Sequence, residues 1–308
     1  MAVLLGGNFA PAQSVSIDNG ALTIENGVLV IGNGETIKGN GNVVTREYEV
    51  TGVFNDVTTL LSATINYRVS DQCSCTVRVD ENLLEYLDLH LNGDQLQLGT
   101  IDAKNNHNVN LRPTEFVIDL AAPQLGHIGI VGSGSFNFLD AVDGEELGID
   151  VIGCGDVVFK KRVGVAMMDL NLIGSGDISF EDTARVDDVR LMLSGSGDLY
   201  FKRIISKRMR GTIAGSGDVR IAEGDIEKMD AKVAGSGSFE SYAEVDRMDA
   251  QVSGSGEITA KVNGELNYSI TGSGGINYYG DPEVKGLTTG REKLRKIDSP
   301  DTGKPKRK

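Results

Sequence analysis

The 308-residue chain reads as an all-β protein, a parallel β-helix (β-solenoid) of about eight coils of 18–21 residues, capped by an N-terminal β-rich segment. Three observations carry that reading. Gly-x-Gly corners recur at near-constant spacing, the residues on either side of each corner alternate apolar and polar, and helical periodicity is absent between them.

Residues 1–45 form an Asn/Gly-rich β segment with closely spaced turn signals at Asn19-Gly20, Asn26-Gly27, Gly32-Asn33-Gly34 and Asn40-Gly41. Short alternating runs lie between them, such as Ala21 to Ile24 and Val28 to Ile31, and these predict short hairpins. Within the segment, residues 1–13 carry Val3-Leu4-Leu5 and the small-x-small triplet Ala10-Pro11-Ala12. They resemble a signal remnant, although a basic n-region is lacking and the apolar run is short.

Residues 46–125 carry longer strand patterns, among them Ala63 to Val69 and Cys75 to Val79. Asp80 to Leu87, acidic at its start, reads as a helical turn, and a strand pair is expected around Gly93-Asp94. A solenoid exposes strand edges at its ends, so this part is expected to cap the first coil.

Residues 126–290 hold the repeat. The structural corners are Gly132 and Gly134, Gly153 and Gly155, Gly174 and Gly176, Gly195 and Gly197, Gly215 and Gly217, Gly235 and Gly237, Gly254 and Gly256, and Gly272 and Gly274. Successive first glycines are 21, 21, 21, 20, 20, 19 and 18 residues apart, and the middle residue is Ser everywhere except Cys154. Two residues before each corner stand Ile130, Val151, Leu172, Leu193, Ile213, Val233, Val252 and Ile270. Six residues past most first glycines stands a large apolar residue, with Phe138, Phe159, Phe180 and Phe201 in succession. Stacked in register about 4.8 Å apart, like residues would lie on like. The phenylalanines then form an aromatic ladder, and Met168, Met209, Met229 and Met248 fill the adjoining gap. Ala231, Ala250, Ser241 and Ala260 replace larger inward residues as the coils shorten, which predicts a taper. A propeller blade is excluded, because it needs about forty residues and four strands.

Residues 291–308 are rich in Lys and Arg and carry two prolines, and they read as a basic disordered tail. The rest of the chain is acidic, with a net charge of −14 and a pI near 4.7. Such a surface repels phosphate backbones, so nucleic acid is excluded as a partner. No apolar run approaches the roughly 20 residues of a membrane-spanning helix, which argues against an integral membrane segment. Three cysteines make no disulfide framework. Cys73 and Cys75 point to one face, Cys154 sits in a corner, and all three read as small buried thiols.

Candidate chemistry is confined to the residue after the corner. Asp156, Asp177, Asp198 and Asp218 would form a ladder of carboxylates about 5 Å apart, and such charges need relief. Calcium, the one cofactor candidate, would bind there, although the period differs from that of nonapeptide calcium rolls. Alternatively, each Asp bonds nearby backbone N–H groups and splays into water. The ladder with Lys160, Lys161, Arg162, Lys202 and Arg203 suggests a carbohydrate-active, polysaccharide-degrading β-helix enzyme as an alternative. These residues recur with the repeat, whereas an active site is a local exception to one, so no catalytic residue is assigned. His90, His107 and His127 are scattered, and His127 falls in an outward column as a solvated side chain. The corners are not phosphate loops, since no helix or Lys follows them.

The Gly-Ser-Gly-Asp corners resemble the head domain called GIN of autotransporter adhesins from Bacteroidetes-type bacteria. Further matches are Gly41 to Arg46 leading into Val50-Thr51-Gly52-Val53-Phe54, then Val77 to Leu84, and the closing Tyr278-Tyr279-Gly280-Asp281-Pro282-Glu283-Val284. The resemblance runs from about residue 40 to 290 and implies a right-handed parallel β-helix in the cell envelope, exported to the periplasm or outer surface. It implies no catalytic residues. The expected function is a non-catalytic, adhesin-like binding or structural module that meets a surface glycan or a protein ligand. A solenoid assembly protein, homo-oligomeric through end or edge contacts, is a further reading.

Overall fold

The structure, a computed structural model, describes residues 15–18, 21–24, 36–101, 109–289 and 294–298. Its core is the expected solenoid. Strands His127–Gly132, Val142–Gly153, Val163–Gly174, Ile178–Gly195, Leu199–Ile213, Gly224–Gly235, Ser238–Gly254 and Glu257–Gly272 pair parallel, each with the next coil's counterpart. Register is kept to the residue: Gly132, Gly153, Gly174 and Gly195 stand opposite one another in turn.

The corners show why glycine recurs. Gly174 has φ +135°, a backbone that L side chains rarely adopt. At Gly176 the constraint is space, because a Cβ there would collide with the carbonyl oxygen of Gly155 in the preceding coil. Ser175 N–H donates to the Gly153 carbonyl at 2.8 Å, and Ser196 N–H to that of Gly174 at 2.8 Å, so the corner backbone bonds from coil to coil.

The inward columns are buried as the alternation predicts. Phe138, Phe159, Phe180 and Phe201 stack with centroid separations of 4.1, 4.5 and 4.5 Å and interplanar angles of 13°, 3° and 11°. Each such side chain contributes about 1.5–3 kcal/mol by burial, with about 0.5–1.5 kcal/mol more per ring pair. Met168, Met209, Met229 and Met248 are buried as well. At Gly211, another small inward residue, volume is exchanged locally. A Cβ on Gly211 would lie 2.6 Å from Cε2 of Phe239, so the missing side chain makes room for that ring.

Each coil carries three inward segments, one more than the two strands read from the sequence. Along Ile178–Gly195 the alternation of buried and outward residues breaks at Glu181-Asp182-Thr183 and again at Asp187-Asp188. Between the breaks, Ala184 and Val186 point inward. They continue Val163 and Val165 of the preceding coil and lead to Ile204 and Ser206 of the next.

The N-terminal part caps the solenoid by extending it. Asp56–Thr59 pairs parallel with His127–Gly132, and Thr64–Val69 with Ser135–Phe138, which places Ile65 and Tyr67 on Phe136 and Phe138. This extra coil turns through Leu60-Leu61-Ser62, without a Gly-x-Gly corner. A further layer, Gln95–Thr100 and Phe116–Ala122, lies on it. Ser74–Asp80 then borders Phe116–Ala122 antiparallel, and Val43–Tyr48 borders Ser74–Asp80 in turn. The expected helical turn is a 3₁₀ turn, Glu81–Tyr86, and the expected strand pair is the hairpin Leu87–Asn92 with Gln95–Thr100. Val15–Asp18 and Ala21–Ile24 pair antiparallel, as the Asn19-Gly20 signal predicted.

At the C-terminal end Glu283–Thr289 stacks on Glu257–Gly272, and Leu294–Lys296 on Gly275–Tyr279. The basic tail is therefore a strand at residues 294–296, where Leu294 continues the Ile276 column and packs against the core. Residues 291–293 and 299–308, the signal remnant at 1–13, the run from Val28 to Ile31 and His107 lie outside the described residues.

Candidate functional site

Alternation turns every second side chain outward, so the surface of the solenoid is a set of columns. The column after the corner holds Asp156, Asp177, Asp198 and Asp218, and each carboxylate is used by the next coil. Oδ1 of Asp156 accepts the Asp177 N–H at 2.9 Å, Oδ1 of Asp177 that of Asp198 at 2.9 Å, and Oδ1 of Asp198 that of Asp218 at 2.9 Å. Asp218 Oδ1 ends the chain by accepting the Ser238 N–H at 2.8 Å and hydroxyl at 2.7 Å. Burial raises the pKa of Asp198; the Asp218 N–H opposes the shift, and the Asp177 and Asp218 charges add to it. Among the described residues no group of three or more His, Cys, Asp or Glu side chains is placed to hold a metal ion.

Of the five basic residues considered with this ladder, Lys160, Arg162 and Arg203 are paired elsewhere, while Lys161 and Lys202 are exposed. Lys160 Nζ bonds Glu181 at 2.7 Å, Arg162 makes a two-pronged contact with Asp143 at 2.5 and 2.8 Å, and Arg203 lies 3.7 Å from Glu223 and from Asp225. The outward face of the strands before the corner is likewise an ion-pair lattice. Asp188 meets Arg208 at 3.0 Å and Arg210 at 3.5 Å, Arg210 meets Asp230 at 3.7 Å, and Lys228 bridges Asp230 at 3.4 Å and Asp249 at 3.1 Å. Where the third face bends into this one runs an open trough of about 580 Å³, with Asp187, Lys207, Glu227 and Asp246 along it.

One group departs from the repeat. Five residues past the first corner glycine, the outward residues Asn137, Val158, Ser179, Thr259 and Asn277 are small or neutral, but three successive coils place Tyr200, Arg220 and Glu240 there. Arg220 bonds Glu240 at 2.6 Å and lies 5.0 Å over the ring of Tyr242, whose hydroxyl donates to Glu240 at 3.3 Å. Burial raises the pKa of the Tyr242 hydroxyl, and the Glu240 carboxylate adds to that. In the alternation of the sequence Arg220 and Glu240 stand simply at polar, outward positions. The signal was three consecutive large residues in a column that is otherwise small.

His127 is not the solvated side chain expected. It sits at the junction of cap and solenoid, opposite Asp56 on one side and Gly148 on the other. Its Nε2 is 2.8 Å from Asp150, whose other oxygen accepts from Asn171 at 2.8 Å. The Asp150 hydrogen bond raises the pKa of His127 above its ordinary value despite burial. His90 lies 3.1 Å from Asp88 at the surface. The cysteines differ from one another: Cys75 is buried, which pushes its pKa up to about 12, Cys73 is half-buried, and Cys154 is exposed at its corner, contrary to the expectation of three buried thiols. The corner turns its middle residue outward, so Cys154 cannot join the core.

Asp80 is buried beneath the turn at Gly39 to Gly41. Its carboxylate accepts the Gly41 N–H at 2.7 Å, the Thr114 N–H at 2.6 Å and the Thr114 hydroxyl at 2.9 Å. Burial alone would raise its pKa, but these bonds outweigh it and hold Asp80 below the ordinary aspartate range. No helix among the described residues is long and apolar enough to cross a membrane.

No curated protein matches the chain. Among solved structures, one described as a "putative lipid binding protein" from Parabacteroides distasonis is 28% identical, with a TM-score of 0.67 over 86% of this chain and 100% of that one. Two described as putative adhesins share the fold. One, from Parabacteroides merdae, is 21% identical, with a TM-score of 0.67 over 86% and 100% of the two chains. The other, from Parabacteroides distasonis, is 20% identical, with a TM-score of 0.66 over 85% and 100%. The family model described as "Putative auto-transporter adhesin, head GIN domain" matches residues 53–172 and 160–282. These matches cover the repeat and most of its cap, and the chain belongs to that adhesin head-domain family.

Proposed function

We propose that this protein is a non-catalytic binding module of the cell envelope, exported to the periplasm or outer surface, with its outward columns as the contact face. The observation that carries the reading is the state of the outward charges. The ladder aspartates are bonded to backbone N–H groups, and the acids and bases of the neighbouring faces neutralise one another from coil to coil. A long, rigid surface whose charged groups are mutually held suits recognition, whereas turnover needs a carboxylate free to move a proton. Membership of an adhesin family supports the same reading.

The test is to incubate the purified chain with immobilised surface polysaccharides and envelope extracts, following retention and the release of reducing ends together. Retention without release is expected. Turnover of any polysaccharide that is lost in Asp177→Asn or Asp198→Asn would overturn the reading in favour of a polysaccharide-degrading enzyme. Phospholipid vesicles form a parallel arm, since the 28%-identical structure carries a lipid-binding description. No metal enters this reading, so calcium or a chelator is expected to leave the melting temperature unchanged. A calcium-dependent rise abolished by Asp177→Asn would assign the ladder to the ion.

A further inference from the structure

The group that departs from the repeat lies on a face whose corner-side column is acidic. Tyr200 stands between the inward Leu199 and Phe201, so alternation turns its ring outward. Its hydroxyl has no hydrogen-bond partner among the described residues. One coil on, about 4.8 Å away, Arg220 is held at two points, by the Glu240 carboxylate and by the Tyr242 ring. Ala222, two residues past Arg220, is small and leaves room for the guanidinium to reach the Tyr242 ring. The surface thus offers an aromatic ring next to a donor–acceptor pair whose geometry is fixed in advance. Arg220 and Glu240 keep side-chain exposures of 34% and 35%, enough to meet a ligand without rearrangement.

We propose that Tyr200, Arg220, Glu240 and Tyr242 form a subsite for a neutral sugar ring of a surface glycan, an assignment that rests on the binding-module reading above. A sugar ring has an apolar C–H face and a rim of hydroxyls that both donate and accept. Tyr200 matches the face, while Arg220 donates to and Glu240 accepts from the rim. Tyr242 positions Arg220. Electrostatics selects the neutral class. Asp198 and Asp218 lie two residues before Tyr200 and Arg220, these two carboxylates and Glu240 outnumber Arg220 and the exposed Lys202 two residues past Tyr200, and the chain carries −14 overall. A uronate or phosphate would meet net negative charge there.

The test is calorimetric titration of the full chain with neutral gluco-, manno- and galacto-oligosaccharides, with oligouronates in parallel. Tyr200→Ala and Arg220→Ala should each weaken binding of the best neutral ligand about tenfold or more, as for residues at the centre of a contact. Tyr200→Phe should retain most of the affinity, and Lys285→Ala, on another face, all of it. Melting curves confirm that each variant is folded. The proposal is overturned if no neutral oligosaccharide binds at about 10 mM, a concentration well above weak but specific affinities. Tighter binding of oligouronates also overturns it. Neutral binding that Tyr200→Ala and Arg220→Ala leave unchanged overturns this site while leaving the binding-module reading intact. Retention of an envelope protein with no glycan binding overturns the sugar assignment alone.

Discussion

At Asp198, burial and the flanking carboxylates of Asp177 and Asp218 raise the pKa, while the Asp218 N–H favours the charged form. A carboxylate whose folded pKa is raised binds its proton more tightly in the folded state, so its contribution grows as pH falls through that value. Asp198→Asn keeps an acceptor for the Asp218 N–H and removes the charge. It should leave stability at pH 7 unchanged or higher by at most about 0.5 kcal/mol, with the difference shrinking in acid, as read from melts at both pH values. Asp80 has the opposite sign. Its lowered pKa gives stability that is present above the ordinary aspartate range and lost as pH falls through the folded value. Asp80→Ala should cost about 2–4 kcal/mol in denaturant titrations and remove that acid step, because it strands the Gly41 and Thr114 donors. The sequence marked Asp80 only as the start of a helical turn. Its burial depends on Gly39 to Gly41 and Thr114, far apart in the chain, and no local pattern connects them.

Among the elements, the aromatic ladder was readable because one residue type repeats at a fixed offset from the corner. Phe180, stacked on both sides, should cost about 3–5 kcal/mol when replaced by Ala, measured by chemical denaturation. Ser241 stands in the same column and buries its hydroxyl with no partner. Ser241→Ala should therefore be neutral or stabilising by up to about 1 kcal/mol in the same assay. A loss larger than that would mean that the hydroxyl is satisfied in solution. The third inward segment was harder to see. It offers only pairs such as Ala184 and Val186, or Ile204 and Ser206, between two breaks of alternation, too short to show a period of its own. The Tyr200–Arg220–Glu240–Tyr242 group was hidden for a related reason: alternation sorts inward from outward residues, but it does not rank the outward ones.

At the scale of the whole molecule, the cap and the coils are one stack, because Asp56–Thr59 and Thr64–Val69 continue the columns. The cap's role was legible but its geometry was not, since Leu60-Leu61-Ser62 turns without the glycines that mark every later corner. His127 joins the two parts through Asp150 and the strand of Asp56. Its raised pKa gives stability that is complete below the ordinary histidine value and lost as pH rises through the folded one. Hydrogen exchange at residues 56–59 should thus show weaker protection at pH 8 than at pH 6 once intrinsic rates are removed. Asp150→Asn should abolish that difference and lower the His127 titration midpoint followed by NMR. Protection independent of pH in the parent chain would show that the junction does not depend on this pair. The corner register also bears on heredity. Gly153, Gly174 and Gly195 are evenly spaced and face one another, so an in-frame duplication or loss of residues 154–174 returns every column to its place. In this stretch, length can change by whole coils in a single genetic event. The shorter, bulged coils near residue 242 lack that freedom, and the group at Tyr242 is anchored where the repeat stops being interchangeable.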